Sequence, residues 1–97
     1  MFVSNLSHFL DATGNIAIEM SKIGRERASF IALIVDEATK SPSEEYVELR
    51  CMKKKCEGTL EIMILDDTQE IEYWCTHCTA NNGRISGWQG TKWDNRK

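Results

Sequence analysis

Apolar and polar positions follow two different rhythms along the chain. Between residues 21 and 39, Ile23, Phe30, Ile31, Ile34, Val35 and Ala38 recur at spacings of three, four and seven. That spacing puts them on one face of a helix, with Arg25, Glu26, Ser29, Asp36 and Glu37 mostly elsewhere. Ser21 is a candidate N-cap, because its hydroxyl can accept from a free N–H of the first turn. Gly24 costs up to about 1 kcal/mol against alanine and weakens that turn. Pro42, within Lys40-Ser41-Pro42-Ser43, stops the helix. Earlier, residues 5–12 read as a short helix and Thr13-Gly14-Asn15 as a turn.

A period of two then takes over. Val47, Leu49 and Cys51 alternate with Glu48 and Arg50; Leu60, Ile62 and Ile64 share a face; Ile71, Tyr73 and Cys75 oppose Glu70 and Glu72. Such alternation predicts half-buried antiparallel strands over 46–51, 59–65 and 70–75. Asp66-Asp67-Thr68-Gln69 reads as the turn between the last two. Asn82-Gly83 is a strong hairpin signal, since both residues tolerate positive φ, and it predicts a return into residues 84–88. The expected fold is α+β: an N-terminal helix packed on a three- to four-stranded antiparallel zinc-ribbon-like sheet. Residues 1–45 would form the helical extension and 46–97 the β domain, in one compact unit.

Ninety-seven residues suffice for one domain. A core this small gains from a metal or crosslink. The N-terminus has no basic start, continuous apolar run or small-residue cleavage site, and no apolar stretch nears the roughly 18 residues of a spanning helix. The expectation is a cytoplasmic protein without membrane contact. The net charge of −3 divides unevenly: residues 1–49 carry four basic and eight acidic side chains, residues 50–97 eight basic and seven acidic. An acidic first half argues against indiscriminate nucleic-acid binding and leaves a local basic patch in the second.

The cysteines carry the sharpest chemistry. The spacing is Cys51-x4-Cys56, 18 residues, then Cys75-x2-Cys78. Each pair ends a predicted strand, and one hairpin returns the second pair to the first. Cytosolic thiols stay reduced, which favours metal over disulfides. Zinc takes four such sulfurs tetrahedrally at about 2.3 Å, and its binding free energy is also folding free energy. Gly58 follows the first pair, where the chain must turn sharply. We therefore expect one structural zinc ion on Cys51, Cys56, Cys75 and Cys78. Two disulfides, a redox pair at Cys75 and Cys78, and iron on the same thiolates are the alternatives. His77 inside the second pair is expected to be an exposed side chain at the turn, and His8 near the N-terminus a solvated or helix-packed one, neither a ligand. Four thiolates leave no coordination position for water, and no nucleophile–base pair or carboxylate dyad appears. The chain is not expected to be an enzyme.

Residues 82–94 form a second distinctive stretch. Trp88 and Trp93 could stack on bases, with Arg84, Lys92, Arg96 and Lys97 meeting phosphates. Alternatively, the tryptophans cover the sheet and helix as core. Lys53-Lys54-Lys55 with Arg50 forms another basic cluster. The candidate binding surface is Arg84, Trp88, Lys92 and Trp93.

Cys51-x4-Cys56-Glu57-Gly58-Thr59, Ile71-Glu72-Tyr73-Trp74-Cys75-x2-Cys78 and the pattern Gly-x-Ile-Ser-Gly-Trp-x-Gly-Thr-x-Trp-Asp from Gly83 to Asp94 resemble a group of small bacterial proteins with a zinc-ribbon-like cysteine tetrad. The resemblance covers most of residues 50–94. Phe9-Leu10-Asp11-x2-Gly14-Asn15-Ile16 and the helix around 28–36 resemble it less specifically. It implies a zinc-ribbon-type hairpin with a helical extension, and points to no particular activity. The expected function is a non-enzymatic, zinc-stabilised module binding a protein or nucleic acid. The alternative is a thiol-based redox or metal-responsive switch.

Overall fold

The computed structural model describes residues 2–40, 47–50, 56, 58–78 and 82–95, with 47–50 followed by their backbone. Strand β1 (Phe2–Asn5) leads into a short 3-10 helix (Leu6–Phe9), then helix α1 (Lys22–Lys40). Strands β2 (Val47–Arg50), β3 (Thr59–Ile64), β4 (Ile71–Cys75) and β5 (Asn82–Ser86) follow. They form one five-stranded sheet in the order β1-β5-β4-β3-β2. Neighbours from β2 to β5 are antiparallel, and β1 runs parallel to β5.

The α+β class stands, with two corrections. The sheet is mixed and not wholly antiparallel. The helix is not the first element, because β1 precedes it and supplies a sheet edge. Four residues, Phe-Val-Ser-Asn, are too few to display a period of two. Residues 5–12 hold one 3-10 turn, capped by Asn5, whose Oδ1 accepts from the Ser7 N–H at 3.0 Å.

Helix α1 begins where its cap predicts: Ser21 Oγ accepts from the Gly24 N–H at 3.1 Å. Ile31, Ala32, Ile34, Val35 and Ala38 pack on Leu60, Ile62, Ile71, Tyr73 and Ile85 of the sheet. Phe30 meets Tyr73 edge-to-face at 5.7 Å between centroids. Ile23, expected on the buried face, is exposed. Nineteen helical residues span about 28 Å, against about 17–20 Å for strands of five or six. The buried residues of α1 begin at Ala28, so its first turn, with Ile23, adds nothing to the core.

The hairpin from β3 to β4 forms as expected. The Leu65 N–H donates to the Glu70 carbonyl at 2.8 Å, and Gln69 takes a φ of 60°. Asn82-Gly83 does not form a turn; both residues lie in β5, Gly83 opposite both Phe2 and Tyr73. A Cβ on Gly83 would lie 2.7 Å from the Tyr73 hydroxyl and would meet the Phe2 carbonyl. Glycine is needed here for the close approach of β1 and of a buried ring, not for positive φ.

The end of the chain is latched to the end of α1. Buried Thr39 donates from Oγ1 to the Val35 carbonyl at 2.8 Å and accepts from the Asn95 N–H at 2.9 Å. The Asn95 side-chain amide donates to Asp36 Oδ1 at 2.9 Å and to the Asp36 carbonyl at 3.0 Å. Among the described residues no helix is long and apolar enough to cross a membrane.

Candidate metal centre

Cys75 is the last residue of β4 and Cys78 lies in the turn after it; Cys56 approaches β3 from the other side of the same hairpin. Beyond the paired residues Leu60 and Cys75, the Thr76 N–H donates to the Thr59 carbonyl at 3.0 Å. The Thr76 hydroxyl lies 3.3 Å from that carbonyl and 3.4 Å from the Thr59 nitrogen. These contacts close the hairpin end and hold the two cysteine turns together.

The sulfurs of Cys56, Cys75 and Cys78 all lie within 4.8 Å of one another. Those of Cys56 and Cys75 are 3.5 Å apart. Sulfurs at about 2.3 Å from one tetrahedral zinc stand about 3.8 Å from each other, so the spacing fits a shared ion. None of the three is in a disulfide. Cys51, the fourth expected ligand, lies outside the described residues, as do Lys53, Lys54, Lys55, Arg96 and Lys97.

Backbone dipoles aim at the sulfurs. Cys75 Sγ accepts from the N–H groups of His77 at 3.4 Å and Cys78 at 3.3 Å, and Cys56 Sγ from that of Gly58 at 3.5 Å. Burial pushes the Cys75 thiol up. The Cys78 and His77 N–H groups and the Cys78 and Cys56 side chains outweigh it and bring the thiol down to about 6. Hydrogen bonds to the charged form favour that form, here the thiolate a metal requires.

Gly58 proves necessary for a different reason from the one expected. It is not among the glycines with positive φ. A Cβ there would stand 2.8 Å from the His77 Cβ and 2.9 Å from Cys75 Sγ. The two cysteine turns touch at this point, and only a residue without a side chain lets them. His77 is exposed, as expected, and His8 is exposed, the first of its two expected settings.

The candidate binding surface does not form as a unit. Trp88 is 0% exposed, and its indole N–H donates to the Gln69 carbonyl at 2.9 Å. It is core, which corrects its placement on a surface. Trp93 is half-buried and packs against the core cluster. Arg84 pairs with Glu72 at 3.1 Å. Lys92 reaches Asn15 Oδ1 and stands 5.4 Å over the Trp93 ring.

The pattern around these residues is largely architectural. Gly87 and Gly90 take φ values of 63° and 75°. Thr91 donates from Oγ1 to the Trp88 carbonyl at 2.7 Å, and Asp94 accepts from the Gly90 N–H at 3.0 Å. Upstream, Asp11 Oδ1 accepts from the N–H groups of Thr13 at 2.9 Å and Asn15 at 3.1 Å. That ties the loop at Gly14, where Leu10 bridges Ile16. Compared with protein-family models, curated proteins and solved structures, the chain matches none.

Proposed function

We propose that this chain is a non-enzymatic, zinc-stabilised binding module, with one structural ion held by Cys51, Cys56, Cys75 and Cys78. The observation that carries the reading is the convergence of three sulfurs from the two cysteine turns. Thiolate sulfur is a soft donor suited to zinc, and closed tetrahedral thiolate sites are structural. The resemblance of residues 50–94 to small bacterial proteins belongs to the same proposal, as does a cytosolic setting in which the thiols stay reduced.

A protein partner is favoured over nucleic acid. Burial of Trp88 removes one of the two stacking rings, and Arg84 is already engaged by Glu72. The acidic charge of residues 1–49 also repels phosphate.

Elemental analysis of the purified chain tests the reading. We expect one zinc per chain and loss of β-sheet circular dichroism on chelation. Folded protein without metal would refute it. A thiol switch is the second reading, favoured by the thiolate character of Cys75. Under mild peroxide it requires zinc release with loss of structure; zinc retained through that treatment removes it.

A further inference from the structure

Cys56 and Cys75 come from opposite arms of the β3–β4 hairpin, yet their sulfurs stand 3.5 Å apart, in van der Waals contact. A disulfide bond is about 2.05 Å long, which leaves a gap of about 1.5 Å. A side-chain rotation at one of the two residues covers that distance. Gly58 keeps the approach open, since a Cβ there would stand 2.9 Å from Cys75 Sγ.

The two residues are held differently. Cys75 ends β4, pairs with Leu60, and takes N–H groups from His77 at 3.4 Å and Cys78 at 3.3 Å on its sulfur. Cys56 lies outside the strands, and the Gly58 N–H reaches its sulfur only at 3.5 Å. The movement therefore falls to Cys56. Exposure separates them too: Cys75 is 7% exposed, whereas Cys56 is half-buried. An oxidant arriving from solvent meets Cys56 before Cys75.

We infer that hydrogen peroxide, or a hydroperoxide of the same class, joins Cys56 to Cys75 in a reversible disulfide that removes two donors from the metal centre. The sulfur of Cys56 attacks one peroxide oxygen and the O–O bond breaks. Hydroxide leaves and takes the thiol proton as water, and Cys56 becomes a sulfenic acid. The sulfur of Cys75, already in contact, attacks Cys56 Sγ and the S–O bond breaks. The second hydroxide leaves as water with the Cys75 proton. In sum, two thiols and one peroxide give one disulfide and two waters. The cysteine spacing alone pointed to Cys75 and Cys78 as a redox pair; the sulfur contact moves the bond across the hairpin. The bond itself needs only the contact between the two sulfurs. Its effect on zinc rests on the metal site proposed above: two remaining thiolates are too few to close a tetrahedral site, so zinc leaves and returns only after reduction.

Peptide mapping of the full chain tests this. The purified protein is treated with hydrogen peroxide, with zinc release followed by a chromophoric chelator, and the remaining thiols are then blocked with N-ethylmaleimide. A glutamate-specific protease cleaves after Glu57 and Glu72 and so separates Cys56 from Cys75. Without reductant, mass spectrometry should find those two peptides joined, with fragmentation placing the blocked thiol at Cys78. Dithiothreitol should separate them and restore zinc uptake. Cys78→Ser should keep the link and Cys75→Ser should lose it. A bond between Cys75 and Cys78 in the wild type overturns the inference, as does oxidation that ends in sulfinic acid without a disulfide. The two readings fail separately. The link found in a chain that never held zinc refutes the metal site and leaves the bond; a zinc-loaded chain that forms another bond refutes this inference alone.

Discussion

Replacing Gly58 by alanine adds one methyl group at the point where the two cysteine turns meet. That carbon would stand 2.9 Å from Cys75 Sγ and 2.8 Å from the His77 Cβ, and 2.9 Å from His77 Nδ1. Ordinary contact needs at least about 3.5 Å, so the turns must separate by roughly half an ångström or more. His77 is exposed and can yield at its ring, but its Cβ is tied to the backbone. Cys75 is fixed by β4 and by the pairing of Leu60 with Cys75. The strain therefore falls on the Cys56–Cys75 separation. Overpacking of this kind costs about 1–3 kcal/mol, and we expect most of it in metal binding, a loss of about 5- to 150-fold in affinity. Competition against a chromophoric zinc chelator measures the change, with circular dichroism of the loaded variant confirming the fold. An unchanged zinc affinity in Gly58→Ala would show that the turns do not press on each other as described.

Two further outcomes follow from the core and the latch at the chain end. Trp88→Phe removes the indole donor from the Gln69 carbonyl, which keeps a longer contact from Gln89 Nε2 at 3.5 Å, and leaves a gap where the fully buried indole stood, so it should cost about 1–3 kcal/mol. In a domain of this size that lowers the thermal midpoint by about 4–8 °C per kcal/mol; an unchanged midpoint would contradict the role given to the indole. The hydrogen bond from Asn95 holds the Asp36 carboxyl below its ordinary value, against the opposing effect of burial and with help from Lys40. A carboxyl depressed in the folded state adds stability that is fully present above its unfolded pKa and is lost as pH falls through its folded pKa. Asn95→Ala should therefore destabilise the protein near neutral pH and make its stability fall less steeply below about pH 4; parallel pH profiles would count against the latch.

Much of the architecture was legible along the chain because local periodicity reports local burial. The apolar stripe over 21–39 marked a helix observed at Lys22–Lys40, and Ser21 caps it. Alternation marked Thr59–Ile64 and Ile71–Cys75, and the turn between them formed where its polar residues stood. Cysteine spacing anticipated the convergence of Cys56, Cys75 and Cys78, since a hairpin of near-equal arms returns its ends to one place. Asn82-Gly83 misled because its local signal is a conformational permission. Gly83 uses the missing side chain to admit Tyr73 and β1 instead. Arg84, Trp88, Lys92 and Trp93 were adjacent in sequence and suggested a surface. Whether an indole faces water or core depends on what packs over it, and here Trp88 is enclosed.

The sequence by itself determined the helix, the central hairpin and the convergence of Cys56, Cys75 and Cys78. Each depends on residues within a turn or a strand pair of one another, where spacing alone sets which side chains share a face. Only the tertiary structure decided that β1 joins β5 in parallel, that Gly58 is a point of contact and that Asn95 secures the helix end. Those relations link residues more than 15 positions apart. Their free energy comes from excluded volume and from hydrogen bonds closed across the fold, which leave no periodic trace in either segment alone.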